Sequence, residues 1–183
     1  LHDVGYLEYQ KGHEKKSVKI AKGCLNKKDY PKENVDKVCA CILATRMPHK
    51  PANLLEEIIC DADIAHIGTK EFFDQTELLK LEIETKENTQ ISDFEWLKKN
   101  IDFLTSNLFF TKSARKKFDE GKTKNLLELQ KRYKKQLEKQ NEQKVKEEKK
   151  ALEQEKLARK EANSKKSDRG IETMFRNVIR THV

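Results

Sequence analysis

Apolar and small side chains return at three- and four-residue steps through most of the chain. From His13, the positions Glu14, Ser17, Val18, Ala21, Cys24 and Leu25 form one stripe, and Val35, Val38, Cys39, Ile42 and Leu43 form a second. That spacing predicts two helices, separated by the polar break Asn26 to Tyr30. Pro31 suits the first turn of the second helix, because its missing N–H is not needed there. Arg46 to Pro51 carries two prolines and reads as a loop. A third helix is predicted from Asn53 to about His66, with Gly68 as its C-terminal cap. A fourth is predicted from Lys70 to Glu84, taking bulk from Phe72, Phe73, Leu78, Leu79 and Leu81. Ser92 and Glu95 have capping-box spacing and open a fifth, with Phe94, Leu97, Ile101 and Leu104 inward. Residues 1–7 end a helix or enter a turn at Gly5, and Tyr9 to Gly12 reads as a loop. No segment keeps a period of two, so the expected class is all-α.

Beyond Phe110 the pattern changes. Lys112 to Lys166 is almost continuous helix former, with one glycine, Gly121. Leu126, Leu129, Tyr133 and Leu137 are spaced to dock or to pair with a second copy, which makes a homo-oligomer one expectation. The seam then thins to Val145, Leu152 and Leu157, too sparse for a long coiled coil. Glu128–Arg132, Glu142–Lys146, Glu155–Arg159 and Glu161–Lys165 are spaced as i,i+4 pairs. The segment is expected to be a charged helical linker or weak coiled coil.

Charge follows the same division. The chain has 183 residues and a formal net charge of +8. Residues 112–166 hold 20 Lys/Arg against 10 Asp/Glu, so the excess arises there. These positives alternate with glutamates, and Tyr133 is the one aromatic between Phe118 and Phe175. Without a stacking platform, no specific nucleic-acid binding is expected. None of the four cysteines, Cys24, Cys39, Cys41 and Cys60, forms a Cys-x-x-Cys pair, and free thiols are expected. No apolar run approaches the ~20 residues that span a bilayer.

Two stretches carry candidate chemistry. His2-Asp3 joins an imidazole nitrogen to a hard carboxylate oxygen, a mixture that suits Zn, Mn, Fe or Mg. Some sixty positions on, Asp61 and Asp63 continue the apolar stripe Leu54, Leu55, Ile58 and Ile59. Carboxylates continuing a buried stripe need a cation or hydrogen-bond donors. Asp61 reads as a supporting or solvated group rather than a ligand. His66, three residues after Asp63, would share its helical face. His49, between two prolines, reads as a loop residue.

The set His2-Asp3-Val4-Gly5-Tyr6, Gly12-His13-Glu14 with Ser17, Leu43-Ala44-Thr45 with Pro48, and Asp61-Ala62-Asp63 with Gly68 resembles the HD-domain metal-dependent phosphohydrolases over roughly residues 1–115. The resemblance implies an HD-type helical bundle over residues 1–111 and a divalent metal held by His2, Asp3 and Asp63. It implies a further histidine ahead of Leu1, which would make the chain a piece of a longer protein. His13 is then the candidate catalytic proton donor. Glu14, Arg46 and Lys50 are candidates for contacts to a nucleotide or cyclic-nucleotide phosphate. At Ala65-His66 the chain departs from the family's aspartate and aromatic.

The last segment, Ser167 to Arg176 with Val178 and Ile179, resembles the opening of the membrane module of Pycsar-type effectors of antiphage defence. By that resemblance residues 112–166 link a cytoplasmic HD domain to an inner-membrane anchor, and the chain itself is the soluble portion. Hydrolysis is the first expectation. A nucleotide-sensing or scaffold domain that signals to membrane helices without turnover is the alternative.

Overall fold

The computed structural model describes residues 1–7 and 12–180, with side chains described as far as residue 156. The described residues are all-α. A 3-10 turn, Val4–Leu7, precedes α1 (His13–Asn26), α2 (Lys32–Ala44) and α3 (Leu54–Asp63). A second 3-10 turn, Ala65–Gly68, leads to α4 (Phe72–Glu87), α5 (Asp93–Ser106) and α6 (Lys112–Arg180). Of the expected loop from Tyr9 to Gly12, residues 9–11 lie outside the described set.

The chain forms two compact units, Leu1–Tyr133 and Lys134–Val183. The first has its core in Ile64, Ile67, Phe72, Leu104, Phe109, Ala114 and Leu129. It therefore extends past Phe110 to take in the opening turns of α6. Leu129 is 2% exposed, and Tyr133 stacks on Phe94 with ring centroids 4.6 Å apart. Arg132 places its guanidinium over the Phe73 ring at 4.2 Å. Leu126, Leu129 and Tyr133, which the spacing offered to a second copy, are thus used within the unit, whereas Leu137 falls in the second unit and is exposed.

Helix ends follow their capping chemistry. Asn53 accepts from the Glu56 amide at the head of α3, and Ser92 and Glu95 close a capping box on α5. α3 stops at Asp63, earlier than expected, and the chain tightens into the 3-10 turn. Gly68 has no left-handed backbone and is not a cap in the expected sense. It is glycine because α6 crosses it closely: a Cβ there would meet the Phe118 carbonyl oxygen at 2.5 Å. A Cβ on Gly121 would meet the Gly68 carbonyl oxygen at 2.0 Å, so the lone glycine of the basic segment is a packing residue. α4 ends on Asn88 in the left-handed region.

Some inward expectations fail. Leu78, Leu79 and Leu81 on α4 are exposed, and Phe72 and Thr76 form its buried face. Leu54, Leu55 and Ile58 on α3 are at least half exposed, so the stripe ahead of Asp61 is not a buried one. On α5 the buried residues are Trp96, Asn100 and Leu104, while Phe94 is half-buried.

In the second unit, the side chains that are described are mostly exposed. Glu128–Arg132 closes at 2.8 Å in the first unit, whereas Glu142–Lys146 does not pair. The Glu155–Arg159 and Glu161–Lys165 pairs, and the apolar residues from Ile171 to Ile179, involve side chains outside the described set. No helix among the described residues is long and apolar enough to cross a membrane.

Candidate metal centre

Gly5 determines where the His2-Asp3 pair stands. Its amide donates to the buried Ser17 hydroxyl at 2.9 Å, pinning the first 3-10 turn against α1. A Cβ at residue 5 would lie 2.4 Å from the His13 carbonyl oxygen and 2.7 Å from the Ser17 nitrogen, so only glycine lets the turn approach. Tyr6 completes the seam, edge-on to His13 at 5.3 Å and beneath the Lys86 ammonium at 4.3 Å. This local packing brings His2 and Asp3 to the N-terminal end of α1, where His13 begins the helix.

Asp63 reaches the same place from the last turn of α3. His2 Nε2 lies 2.9 Å from Asp3 Oδ2 and 3.2 Å from Asp63 Oδ1. His13 Nε2 lies 3.2 Å from Asp3 Oδ1, and His49 Nε2 lies 3.2 Å from Asp63 Oδ2. The order is His13, Asp3, His2, Asp63, His49, each carboxylate turning one oxygen to each neighbouring ring. Ligand atoms of His2, Asp3 and Asp63 all fall within 4.8 Å of one another.

The donor chemistry fits a divalent cation. His2 Nε2 faces two carboxylate oxygens, and one N–H there cannot point straight at both. Neighbouring ligands at 2.0–2.1 Å from one octahedral ion stand roughly 3 Å apart, and His2 Nε2 lies 2.9 and 3.2 Å from the two carboxylate oxygens it faces. Glu14 adds a third carboxylate, with Oε1 at 3.9 Å from His13 Nε2. Its Oε2 and the Nδ1 of His49 are buried without hydrogen-bond partners. A cation would offset the charge of three carboxylates beside imidazoles, and His2, Asp3 and Asp63 are the side chains placed to hold one.

The remaining expected residues fall elsewhere. Glu14 is buried beside His13 and is not placed at an open surface as a phosphate contact would be. Arg46 and Lys50 are exposed and line a separate cleft of about 290 Å³ with Leu43, Ala44, Met47 and Pro48, to which no cluster residue contributes. Asp61 is neither solvated nor turned to the cluster. It is buried and accepts the Phe110 and Thr111 amides at 2.7 and 2.9 Å, ahead of α6. His66 is not a member of the cluster, and the α-helix ends between it and Asp63. Its ring stacks on Phe103 at 6.3 Å, and burial holds it below the ordinary histidine range.

His49 is the member that the sequence pattern missed. Its side chain is 3% exposed and its ring tilts against Phe110 at 6.4 Å. The flanking Pro48 and Pro51, which restrict the loop, were the one available signal. Cys60 sits under the same turn and donates to the Ala44 carbonyl at 3.2 Å. Burial, then the charges of Asp63 and Asp61, push its thiol up to about 11. All four cysteines are free thiols.

No protein-family model, curated protein or solved structure matches this chain.

Proposed function

We propose that the chain is a metal-dependent phosphohydrolase acting on a nucleotide or cyclic-nucleotide phosphate ester. The observation that carries the reading is the convergence of His2, Asp3 and Asp63 within 4.8 Å from positions some sixty residues apart. A bound divalent ion would supply Lewis-acid polarisation of a phosphoryl oxygen and would lower the pKa of a water toward neutrality. The protein's own residues position and transfer protons. Asp3 holds the rings of His2 and His13 with its two oxygens, and Asp63 does the same for His2 and His49. His13, at the open end of the row, is the group to protonate the leaving alkoxide as the P–O ester bond breaks and water adds to phosphorus. The family resemblance supports the same roles. Manganese-supported hydrolysis of cyclic AMP and bis-p-nitrophenyl phosphate tests the reading. It should be present in the wild-type chain and lost in His2→Ala and Asp3→Ala, and unchanged turnover in both variants refutes it.

A sensor without turnover is the second reading, favoured by how the Asp63 turn is tied to α6. Asp61 caps the approach to that helix, and Gly68 meets Gly121. Asn125 Nδ2 donates to the carbonyls of Ile67 and Thr69 at 2.9 and 2.8 Å. A ligand that shifted Asp63 would act on a segment held by α6 at three points. Tight cyclic-nucleotide binding with no product in manganese selects this reading. The tie to a membrane module rests on the resemblance of residues 167–183 alone.

A further inference from the structure

Between α2 and α3 lies a groove of about 450 Å³, and His2, the imidazole at the centre of the row, is one of its walls. α2 contributes Asn34, Val38, Cys41 and Ile42, positions that share one helical face, and α3 contributes Leu55 and Ile59. Tyr30, just ahead of α2, lines it as well. Leu55 is 50% exposed and Tyr30 45%, so the groove is open to a ligand and is not a sealed part of the core. Its one lysine, Lys37, is closed on Glu33 at 2.6 Å. Besides His2, the remaining lining side chains carry no charge. They offer aliphatic walls, a phenol ring and the Asn34 carboxamide, which both donates and accepts.

We propose that this groove holds the nucleoside of the substrate ester, with the phosphoryl group at the His2 end. The inference rests on the proposed metal centre and narrows its substrate to nucleoside monophosphates and cyclic mononucleotides. An uncharged base and sugar suit such walls, because small-molecule sites are mostly apolar with a few placed polar groups, in volumes of roughly 300–1,000 Å³. The Asn34 carboxamide sets a donor beside an acceptor, the complement of the N6 and N7 edge of adenine. A sugar phosphate without a base would leave the aliphatic walls uncovered. The further phosphates of a triphosphate would meet no free side-chain cation among the lining residues. Without metal, Asp3 and Asp63 disfavour even one phosphate at the His2 end, whereas a bound cation would draw it there.

Isothermal titration of the whole chain with adenosine, AMP and ribose 5-phosphate, in EDTA and in manganese, tests this. In EDTA adenosine should bind saturably, AMP more weakly and ribose 5-phosphate not at all. Manganese should tighten AMP by about tenfold, the equivalent of one charge-assisted contact, and leave adenosine unaltered. Asn34→Ala should weaken adenosine by about tenfold, as loss of a pair of hydrogen bonds would. Leu55→Trp, a change at a half-exposed position, should fill the groove and abolish binding, with circular dichroism confirming intact helices. No adenosine binding overturns the proposal, and so does binding that survives Leu55→Trp or ignores Asn34→Ala. Adenosine binding with no manganese effect on AMP sets the groove apart from the metal centre and overturns it too. Manganese is also titrated alone. A chain that binds manganese but not adenosine refutes the groove and leaves the hydrolase reading standing, whereas one that binds adenosine but not manganese refutes the metal centre and the substrate pairing built on it.

Discussion

His49 Nε2 stands 3.2 Å from Asp63 Oδ2, the oxygen that Asp63 does not turn to His2. If Asp63 holds a metal as proposed, the ring is either a further ligand or the group that orients that carboxylate. Both roles make metal affinity depend on it. His49→Gln should weaken manganese binding by roughly 10- to 100-fold, the usual effect of losing such a partner. Isothermal titration on the folded chain measures this, with circular dichroism checking helix content. Unaltered affinity would return His49 to the status of a packed loop residue.

Gly5 and Gly23 form a matched pair of opposite sign. An alanine at 5 would place its Cβ against the His13 carbonyl and the Ser17 nitrogen, both backbone atoms that cannot rotate away. Gly5→Ala should cost about 1–3 kcal/mol as an overpacked contact. It should also weaken metal binding by moving His2 and Asp3 off α1. Gly23, inside α1, has nothing within 4 Å of its Cβ position. Gly23→Ala should stabilise by about 0.4–1 kcal/mol by restricting the unfolded chain. Urea denaturation of the two variants, read against wild type, checks both signs.

The helical periodicity, the Ser92–Glu95 box and the polar breaks were legible because they are local. The same holds for His2-Asp3, where adjacency in the chain guarantees adjacency in space. That Asp63 stands beside His2 was expected only from a resemblance, whereas its partner His49 was not expected at all, since a loop histidine has no periodicity to betray it. Asp61 was misjudged because its donors, Phe110 and Thr111, lie some fifty residues away. Gly121 shows the same limit: in a run of lysines it reads as a break in a linker, and only the Gly68 carbonyl explains it. The exposed leucines of α4 carried an apolar signal that tertiary packing did not use.

The α5 capping box has a charge-dependent part that acid should remove. The Ser92 hydroxyl, then the Ser92 amide, hold the Glu95 carboxyl below its ordinary 4.5. A carboxyl depressed in the fold stabilises above its unfolded value, and that contribution fades as pH falls through the lower folded value. Glu95→Gln keeps the shape and hydrogen-bonding capacity but not the charge. The wild type should therefore be the more stable at neutral pH, and the gap should close as pH falls below 4.5. Urea midpoints for both chains across that range measure it. A gap constant with pH would show that the charge is irrelevant to the cap.

Asp61 offers the sharpest test of how α3 is tied to α6. Each carboxylate oxygen accepts one backbone amide, and both amides precede the first turn of α6, where donors lack helical partners. An asparagine retains one acceptor but turns an NH₂ toward the other amide, leaving two donors face to face. Asp61→Asn should therefore destabilise the first unit by about 1.5–3 kcal/mol, the worth of hydrogen bonds to a charged group. Amide exchange at Phe110 and Thr111 should accelerate in step, while exchange in α1 should change only through the lower global stability. If Asp63 is also held by this tie, manganese affinity should fall in Asp61→Asn although residue 61 is not a ligand. Full metal affinity in a destabilised Asp61→Asn chain would separate the two carboxylates and remove the structural basis for the sensor reading.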